Sequence, residues 1–431
     1  MFATITASSA FAIEESPTDA SIREEIEALK AQVAEMREQQ NKLAENHAKY
    51  SDEIIPVPEE EVAVPMTQGK ISNFLFSTLY EGAKPMGMLS GSQFPLGILK
   101  QRNVYNDYSL AFSGYLQANA QYWHGSKINI IPVGTKTTYQ SGKAVHISTA
   151  SLYAAANIDR YVTGTLVISG NETASSLNVK NAFVIFGNLD EYPVYATMGK
   201  NRIALGSFSG GGPWTGSLTQ MLFRPGDTTN ASIAYYGHGL STNVSVFQTD
   251  EQSTDFSTAA FYQNKLGDLN YGINGGYVYN VNGTGQKSFD SATTSGQRIG
   301  AINFDLSLNY DIFGLGSGFA QTTNKWATTN DGYAGAWYLQ AWVSPRILGE
   351  PTNINLSYHG AYNTSKIPVP LTGSTVSGYK PQNTSVNRMI ITSIARPFLT
   401  DNVLVGLEYV YMHMYNHQHS NAYTLNISAY F

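Results

Sequence analysis

Two groups of side chains in this sequence could act chemically on a solute. Lys200, Arg202 and Arg224 flank a glycine-rich stretch, and positive charge in a confined passage concentrates anions. A second group near the C-terminal end consists of His413, His417 and His419, and imidazoles are good ligands for several transition ions. The sequence therefore offers an anion-selecting group and a metal-binding group, although loop histidines without a ligand role would show the same spacing.

Enzymatic chemistry is not predicted, and neither is a cofactor. The chain has no G-x-S-x-G, no H-E-x-x-H and no phosphate-binding G-x-x-x-x-G-K-[ST] motif. It has no cysteine, which excludes disulfides, thiolate metal sites and cysteine nucleophiles. The absence of motifs does not exclude an enzyme whose catalytic groups are scattered over several strands.

The composition suits a chain that touches lipid on one side and water on the other. Only 13% of the 431 residues are charged, against about 25% in an ordinary globular protein. Aromatic residues make up 12%, and 28 residues are tyrosine. A helical membrane protein is excluded because no run of about 20 apolar residues is present. The net charge of -6 comes without a Lys/Arg-rich tract, so no nucleic-acid partner is predicted.

Beyond the first quarter of the chain, apolar and polar residues alternate, as they do in strands with two different faces. The alternation is sharp where Phe304, Leu306 and Leu308 are separated from one another by the polar residues Asp305 and Ser307. It recurs in three further segments, 110–122, 269–279 and 354–362. A soluble β-sandwich would also alternate, so this pattern predicts strands but not their setting.

Sixteen strands can be placed on this pattern, and the connections between them alternate long and short. The predicted strands are 108–124, 144–158, 162–170, 179–187, 194–206, 231–238, 241–250, 255–265, 269–281, 298–312, 315–325, 335–346, 352–363, 386–396, 402–414 and 420–431. Outer-membrane barrels show this asymmetry, with long outer loops and tight periplasmic turns. The predicted fold class is therefore all-β, a 16-stranded antiparallel transmembrane β-barrel, closed because lipid offers no partner for a free strand edge.

The end of the chain also indicates the outer membrane. Tyr423, Leu425, Ile427 and Phe431 form one apolar face of the last predicted strand, which stops on an aromatic residue. Outer-membrane barrels typically end in this way, and the four residues resemble the signal read by their assembly machinery. We therefore expect an outer-membrane location, with outer-membrane lipid as a partner.

The N-terminal part is predicted to be exported and partly helical. Residues 1–12 resemble the C-terminal end of a signal peptide because Ala10-Phe11-Ala12 has the A-x-A pattern of a cleavage site, with an ordinary N-terminus as the alternative. Apolar residues in 13–50 fall at spacings of four and three, the seam of a short N-terminal α-helical coiled coil in the periplasm. The narrow seam predicts a homo-oligomer, and a single amphipathic helix lying on the barrel is the alternative.

A proline-punctuated segment joins the coil to the barrel. Residues 51–107 are predicted to be a Pro-rich linker followed by a periplasmic or lumenal segment, and 108–431 to be the barrel. The apolar runs within 70–107 are too short to span a membrane.

The basic residues flank the third outer loop of this topology, which is also the longest. In many sixteen-stranded porins the third loop folds into the lumen and forms the constriction. Alternation with a period of two residues, with the apolar Ile203 and Leu205 on the outer face, predicts that Lys200 and Arg202 face the inner wall. Arg224 lies at the far end of the loop. A basic constriction would favour anions, whereas isolated lumen charges would have no selective role.

Three segments resemble one family of outer-membrane proteins. They are Phe94-Pro95-Leu96-Gly97-Ile98-Leu99-Lys100-Gln101-Arg102-Asn103, Gly114-Tyr115-Leu116 and Ser207-Phe208-Ser209-Gly210-Gly211-Gly212-Pro213-Trp214. Together with the order of signal, coil, linker and barrel, they resemble the legiobactin-receptor family of siderophore porins. The resemblance covers most of the chain and implies uptake of a ferric, citrate-type siderophore without the usual energy-coupling plug.

The leading functional prediction is an outer-membrane porin or receptor for a ferric siderophore or another small anionic solute. A general or anion-preferring trimeric porin with the same coil and barrel is the alternative. A third class is an adhesin whose barrel displays loops, although the predicted outer loops are short for an adhesive platform.

Overall fold

The computed structural model describes residues 30, 66–67, 70–71, 85–89, 91, 93–102, 107–132, 137–172, 177–249, 253–290, 297–325, 332–371, 379–380 and 383–431. All of these except Lys30 belong to the compact unit Glu60–Phe431. The predicted signal peptide and nearly all of the predicted coiled coil lie outside the described residues, so both stay predictions.

Sixteen antiparallel strands form a closed barrel, which confirms the predicted fold class. Their bounds are β1 Leu110–Pro132, β2 Thr137–Asp159, β3 Val162–Gly170, β4 Asn178–Phe186, β5 Val194–Arg202, β6 Asp227–Gly237, β7 Leu240–Gln248, β8 Thr254–Leu266, β9 Leu269–Val278, β10 Ala301–Tyr310, β11 Phe313–Thr322, β12 Gly335–Val343, β13 Asn353–Tyr362, β14 Val386–Phe398, β15 Thr400–Met414 and β16 His419–Tyr430. Each strand pairs with the next along the chain, and β16 closes the ring against β1, with Tyr423 opposite Tyr122. Closure gives each of these strands two neighbours, so their backbone groups pair within the ring.

The outer face of the wall is apolar and its inner face carries polar residues, the reverse of a soluble protein. On β10, Phe304 is 41% exposed on the outer surface, whereas Asn303 and Asp305 are each 2% exposed and face the interior. On β1 the same order holds for exposed Leu116 and buried Gln117. An apolar outer wall around a polar interior is the arrangement of a transmembrane barrel.

The two ends of the barrel differ in the length of their connections. At one end tight turns join the strands, as at 160–161, 238–239 and 311–312. His238 (φ 50°) and Gly239 (φ 75°) are both left-handed, as a type I′ hairpin turn requires, and that turn matches the twist of the flanking strands. At the other end lie long connections such as 203–226, 279–300 and 363–385. Long and short connections therefore alternate over most of the barrel, as predicted, although 171–177 and 187–193 are equal in length.

The end of the chain lies at the tight-turn end of the barrel. Phe431 exchanges two backbone hydrogen bonds with Gly114, near the beginning of β1. The Phe431 ring occupies the space that a Cβ on residue 114 would need, so glycine is required there for this close approach. Tyr423, Leu425 and Ile427 of β16 are exposed on the outer wall, the face that the alternation predicted for them.

Some strand boundaries differ from those predicted. Much of the predicted loop 125–143 is strand, because β1 continues to Pro132 and β2 begins at Thr137. The predicted strand 194–206 instead ends at Arg202. Period two marks the part of a strand that has lipid on one side. This alternation of apolar and polar residues is uninformative where a hairpin extends beyond the lipid-facing part of the wall or where the chain turns into the lumen.

The described residues also form short helices and two-residue strand pairs. The helices are α1 Phe94–Lys100, α2 Leu218–Phe223 and α3 Lys287–Asp290, with a 3-10 turn at Met86–Met88. Two-residue strands pair Met66–Thr67 with Lys70–Ile71, Arg346–Ile347 with Glu350–Pro351, Val369–Pro370 with Asn383–Thr384, and Tyr379–Lys380 with β1. None of the helices in the described residues combines the length and apolarity needed to cross a membrane.

Candidate functional site in the barrel lumen

The long connection 203–226, here called the lumen loop, folds into the barrel. Its residues Leu205, Phe208 and Phe223 are 2% exposed or less and belong to one apolar cluster with Met389 of β14. Met389 is fully buried, whereas Ile394, on the opposite face of the same strand, is exposed on the outer wall. The cluster therefore lies inside the ring of strands, and the lumen loop occupies the lumen.

One anchor of the lumen loop is the carboxylate of Asp305 on β10. The backbone N–H of Phe208 donates to it at 3.3 Å, the hydroxyl of Tyr338 at 2.8 Å and the amide of Asn274 at 3.1 Å. The backbone N–H of Ser207 donates to the Asn274 side-chain oxygen at 3.1 Å. The beginning of the loop is thus bound to one side of the inner wall.

A second anchor is the carboxylate of Glu408 on β15, five strands further around the ring. It accepts the backbone N–H of Trp214 at 2.9 Å and that of Thr215 at 3.0 and 3.1 Å. Asp305 and Glu408 lie five strands apart, and between them the loop runs along the inner wall past β12 and β14.

The glycine-rich stretch noted in the sequence has a steric reason. Gly210 (φ 90°) lies against the Tyr338 ring, and Gly212 lies against the Glu408 carboxylate, so close that neither position has room for a Cβ. Gly211 accepts a hydrogen bond from the Gln340 side chain at 3.4 Å. Glycines therefore let the loop backbone pass along the inner wall.

Helix α2 completes the lumen loop and packs against β11, β12 and β13. The Ser217 hydroxyl caps its N-terminus by accepting the backbone N–H of Gln220 at 3.2 Å. Leu218 and Leu222 are buried in the apolar cluster. The loop is therefore held by packing as well as by its two carboxylate anchors.

Helix α1 lies inside the barrel, near the tight-turn end. Phe94 meets the rings of Tyr153 on β2 and Phe183 on β4 edge-on, at centroid distances of 6.1 and 6.0 Å. Lys100 places its Nζ 4.1 Å from the centre of the Tyr236 ring on β6. Burial lowers the pKa of Lys100 from 10.5 to about 7. The structure therefore places α1, a part of the predicted segment 51–107, in the lumen.

A partly exposed group of charges, here called the basic cluster, lies where the lumen loop leaves and rejoins the wall. Arg202 at the end of β5 pairs with Asp227 at the beginning of β6, with 3.3 Å between Nη2 and Oδ1 and with both side chains 14% exposed. Lys180 of β4 and Arg224 of the lumen loop lie within electrostatic range of both. Three cationic side chains therefore share the carboxylate of Asp227.

The basic cluster also contacts the chain segment that leads into α1. The Arg202 guanidinium occupies the space next to Gly91 that a Cβ there would need. The lumen loop, the N-terminal segment and the strand wall therefore meet at this cluster.

The predicted inner-wall position of Lys200 is wrong, whereas Arg202 lies in the basic cluster together with Arg224. Lys200 lies on the same side of β5 as Met198, which is exposed on the outer wall, and its Nζ donates to the Val179 carbonyl at 2.8 Å. Ile203 is buried in the lumen cluster and does not continue the outer face of β5. Period two does not extend past Arg202, because the strand ends there.

Lys180 is a member of the cluster that the sequence analysis missed. It lies at a register shift, where Val167 pairs with Asn181 and Ile168 with Val179, so Lys180 has no partner in the ladder. Such a bulge re-aims one side chain. The sequence shows a single lysine within an apolar strand. The alternation of polar and apolar residues does not reveal the bulge that turns this lysine inward.

The three C-terminal histidines do not form one ligand set. The Nδ1 of His413 lies 2.8 Å from the Asn387 side-chain oxygen, and its ring is 6.2 Å from that of His417. His419 instead stacks on Tyr411 at 6.2 Å. Within the described residues, no three His, Asp or Glu side chains are arranged to hold a metal ion, so the predicted triad is not assembled.

A closed sixteen-stranded barrel with a loop folded into its lumen has a porin-like fold. By sequence, the chain belongs to the family described as protein of unknown function (DUF3573), whose profile matches residues 60–302. A search of curated proteins found no match.

Two solved structures share the fold. OprB of Pseudomonas putida aligns with a TM-score of 0.52 and 10% identity, covering 75% of this chain and 94% of that one. OmpF of Salmonella typhi, in a complex with daunomycin, aligns with a TM-score of 0.51 and 14% identity, covering 76% and 99%. At such identities the likeness shows the fold alone.

Proposed function

We propose that this chain is an outer-membrane channel that admits small anionic solutes through a lumen narrowed by the lumen loop and α1. The observation that carries this proposal is the basic cluster inside a barrel whose outer wall suits lipid. Lys180 and Arg202 alone exceed the single charge of Asp227, and Arg224 adds a third positive charge. Positive potential in a confined, low-dielectric passage raises the local concentration of anions.

The test is ion selectivity in planar lipid bilayers. Replacing Lys180, Arg202 and Arg224 with Gln keeps polarity and approximate length but removes the field, so the preference for anions should fall. The ion selectivity of the triple variant should also depend less on ionic strength than that of wild type. The electrostatic field of the three charges, which salt screens over about 10 Å at 0.1 M, is absent from the variant. Lys200→Gln is the matched control, since that lysine lies on the outer wall, and it should behave as wild type.

Wild-type selectivity in the triple variant would show that the cluster does not set the selectivity of the pore. Equal loss in the triple variant and in Lys200→Gln would show that the charge of the whole barrel matters, and not the cluster.

As the particular cargo we propose a ferric, citrate-type siderophore, taken up without an energy-coupling plug. Support comes from the sequence resemblance to the legiobactin-receptor family and from the anionic character of such a siderophore, which the basic cluster complements. A strain lacking this protein should grow poorly on the ferric siderophore as sole iron source, and wild-type protein should restore growth. Full growth of the deletion strain would reject this cargo.

A general anion-preferring porin is the second candidate, because guanidinium and ammonium groups attract many anions. Uptake that rises linearly with solute concentration would favour the general porin, whereas saturable uptake would favour a receptor.

Self-association through 13–50 stays a prediction for both candidates. Cross-linking of detergent-extracted protein with and without those residues would test it, and a monomer in both cases would reject it.

A further inference from the structure

We infer that the outer wall of the barrel binds an anionic, phosphate-bearing lipid in a groove that crosses β14, β15, β16, β1 and β2 and ends at Lys143, here called the outer groove. The inference is independent of the proposed anion channel, because the outer groove faces lipid and no residue of the basic cluster lies in it.

One side of the outer groove is aliphatic. The groove has a volume of about 910 Å³, within the range of about 300–1,000 Å³ that ligand sites occupy. A row of side chains that pair across the ladders lines this side, namely Val145, Ala120, Leu425, Leu407 and Ile394. Because Ala120 is much smaller than its neighbours, the wall is indented over β1.

The next row, nearer the long connections, has a different chemistry. It consists of Lys143, Tyr122, Tyr423, Tyr409 and Thr392, again paired in this order. Lys143 is exposed. The Tyr423 ring lies 6.2 Å from that of Tyr122 and 4.9 Å from that of Tyr409. The lining therefore changes from aliphatic to aromatic and cationic between adjacent rows.

A polar recess of about 730 Å³ continues from the second row toward the long connections. It shares Tyr122 and Tyr423 with the outer groove, and His124, Gly125 and Ser141 complete its lining. The His124 ring lies 5.7 Å from that of Tyr122 and 6.0 Å from that of Tyr423. The order aliphatic, aromatic and polar matches the order of acyl chain, interface and headgroup along a lipid.

The charge of Lys143 favours an anionic headgroup. A lysine that faces lipid is destabilising unless it lies near the headgroups, where the recess places this one. None of the ion pairs among the described residues includes Lys143. The Glu172 carboxylate accepts the backbone N–H of Ile147 at 2.9 Å, on the β3 side of β2 and away from the groove. A lipid phosphate would give Lys143 an acceptor for a charge-assisted hydrogen bond.

A second copy of the chain fits the outer groove less well than a lipid. Among the residues of the sixteen barrel strands whose exposure the structure describes, the exposed carboxylates are those of Asp159 and Asp401, both at the tight-turn end. A copy with the same orientation in the membrane would therefore bring no strand carboxylate to the height of Lys143.

The experiment is native mass spectrometry of the full-length protein in detergent, titrated with phosphatidylglycerol and with phosphatidylcholine that carry the same acyl chains. Wild type should bind phosphatidylglycerol more tightly. Lys143→Gln should weaken that binding about fivefold, the loss expected for one cation near an anionic headgroup, and Lys143→Arg should keep it. Ala120→Trp fills the indentation over β1 and should weaken the binding of both lipids.

Two variants are matched controls. Lys200→Gln removes a lysine of the outer wall that lies outside the groove, and Ala260→Trp adds an indole to the outer wall of β8. Both should bind the two lipids as wild type does. Heat-modifiable electrophoretic migration would confirm that each variant is folded, and Ala120→Leu provides a second variant if Ala120→Trp fails to assemble.

Equal binding of the two lipids by folded wild type, or equal weakening in Lys200→Gln, would overturn the inference. Displacement of phosphatidylglycerol by inorganic phosphate would also overturn it and assign the recess to a free anion. Loss of an oligomer in Ala120→Trp would instead assign the groove to a second copy. Lys143→Gln should keep the ion selectivity of wild type in planar bilayers, so failure of this inference is distinguishable from failure of the proposed channel.

Discussion

At the scale of single residues, two carboxylates position a whole loop inside this barrel. Asp305 and Glu408 are fully buried on the inner wall, and each accepts backbone N–H groups from the lumen loop. Backbone amides that leave water need such acceptors, because an unpaired buried N–H costs about 1–3 kcal/mol. The two acidic side chains thus act on the loop and not on a solute.

We therefore predict that Glu408→Ala releases the middle of the lumen loop. The N–H groups of Trp214 and Thr215 would lose their acceptor and seek water, so single-channel conductance in planar bilayers should rise and become noisier. Glu408→Gln keeps one acceptor oxygen and should show a smaller change. Unchanged conductance in Glu408→Ala would show that packing of α2 alone holds the loop.

At the scale of elements, α1 is a short helix that depends on the barrel for its position. A seven-residue helix is marginal by itself in water, so the burial of Phe94, Leu96 and Ile98 against the inner wall must stabilise it. Side-chain contacts with the inner wall hold the helix. A substitution in the helix can therefore weaken its docking and leave the strands unchanged.

Phe94→Ala should undock α1, since it removes the ring that contacts Tyr153 and Phe183 and opens a cavity worth about 3–5 kcal/mol. The chain has no cysteine, so Ile98→Cys introduces a single thiol whose labelling rate reports exposure of the helix. That rate should rise at least about tenfold in Phe94→Ala. Gln93→Ala, at a position without a side-chain cap bond, is the control and should leave labelling slow.

Equal labelling rates with and without Phe94→Ala would mean that other contacts hold α1. Fast labelling of Ile98→Cys in the otherwise wild-type chain would contradict the lumenal position of the helix.

At the scale of the whole molecule, closure of the ring depends on the pairing of β16 with β1. β16 pairs with β1 over 420–430, and Phe431 continues this ladder to Gly114 at the tight-turn end. The last strand therefore completes the hydrogen bonding of the first, and the barrel cannot close until both are in place.

Deleting Phe431 should impair assembly, because it removes the last pair of backbone hydrogen bonds and the exposed aromatic ring at the rim. The measurement is the amount of heat-modifiable protein in the outer-membrane fraction. Phe431→Tyr keeps an aromatic ring and should assemble, whereas Gly114→Val should fail because its side chain needs the space of the ring. Normal abundance of the truncated protein would count strongly against the membrane-barrel interpretation.

The sequence by itself determined the wall of this protein. Alternation such as Asn303, Phe304 and Asp305 is a local property, since each residue of a strand between lipid and lumen faces one or the other. Strand number, loop asymmetry and the outer face of Tyr423, Leu425 and Ile427 all follow from short stretches of chain.

Only the tertiary structure decided what fills the lumen. Thr215 and Glu408 are 193 positions apart, and Gln121 and Thr424 are 303 apart, so no periodicity relates them. Lys180 enters the basic cluster through a bulge, and Lys200 stays outside because it shares a face of β5 with the exposed Met198. Contacts across a closed ring exist only after the ring has closed, which is why the wall could be predicted from local pattern and the site could not.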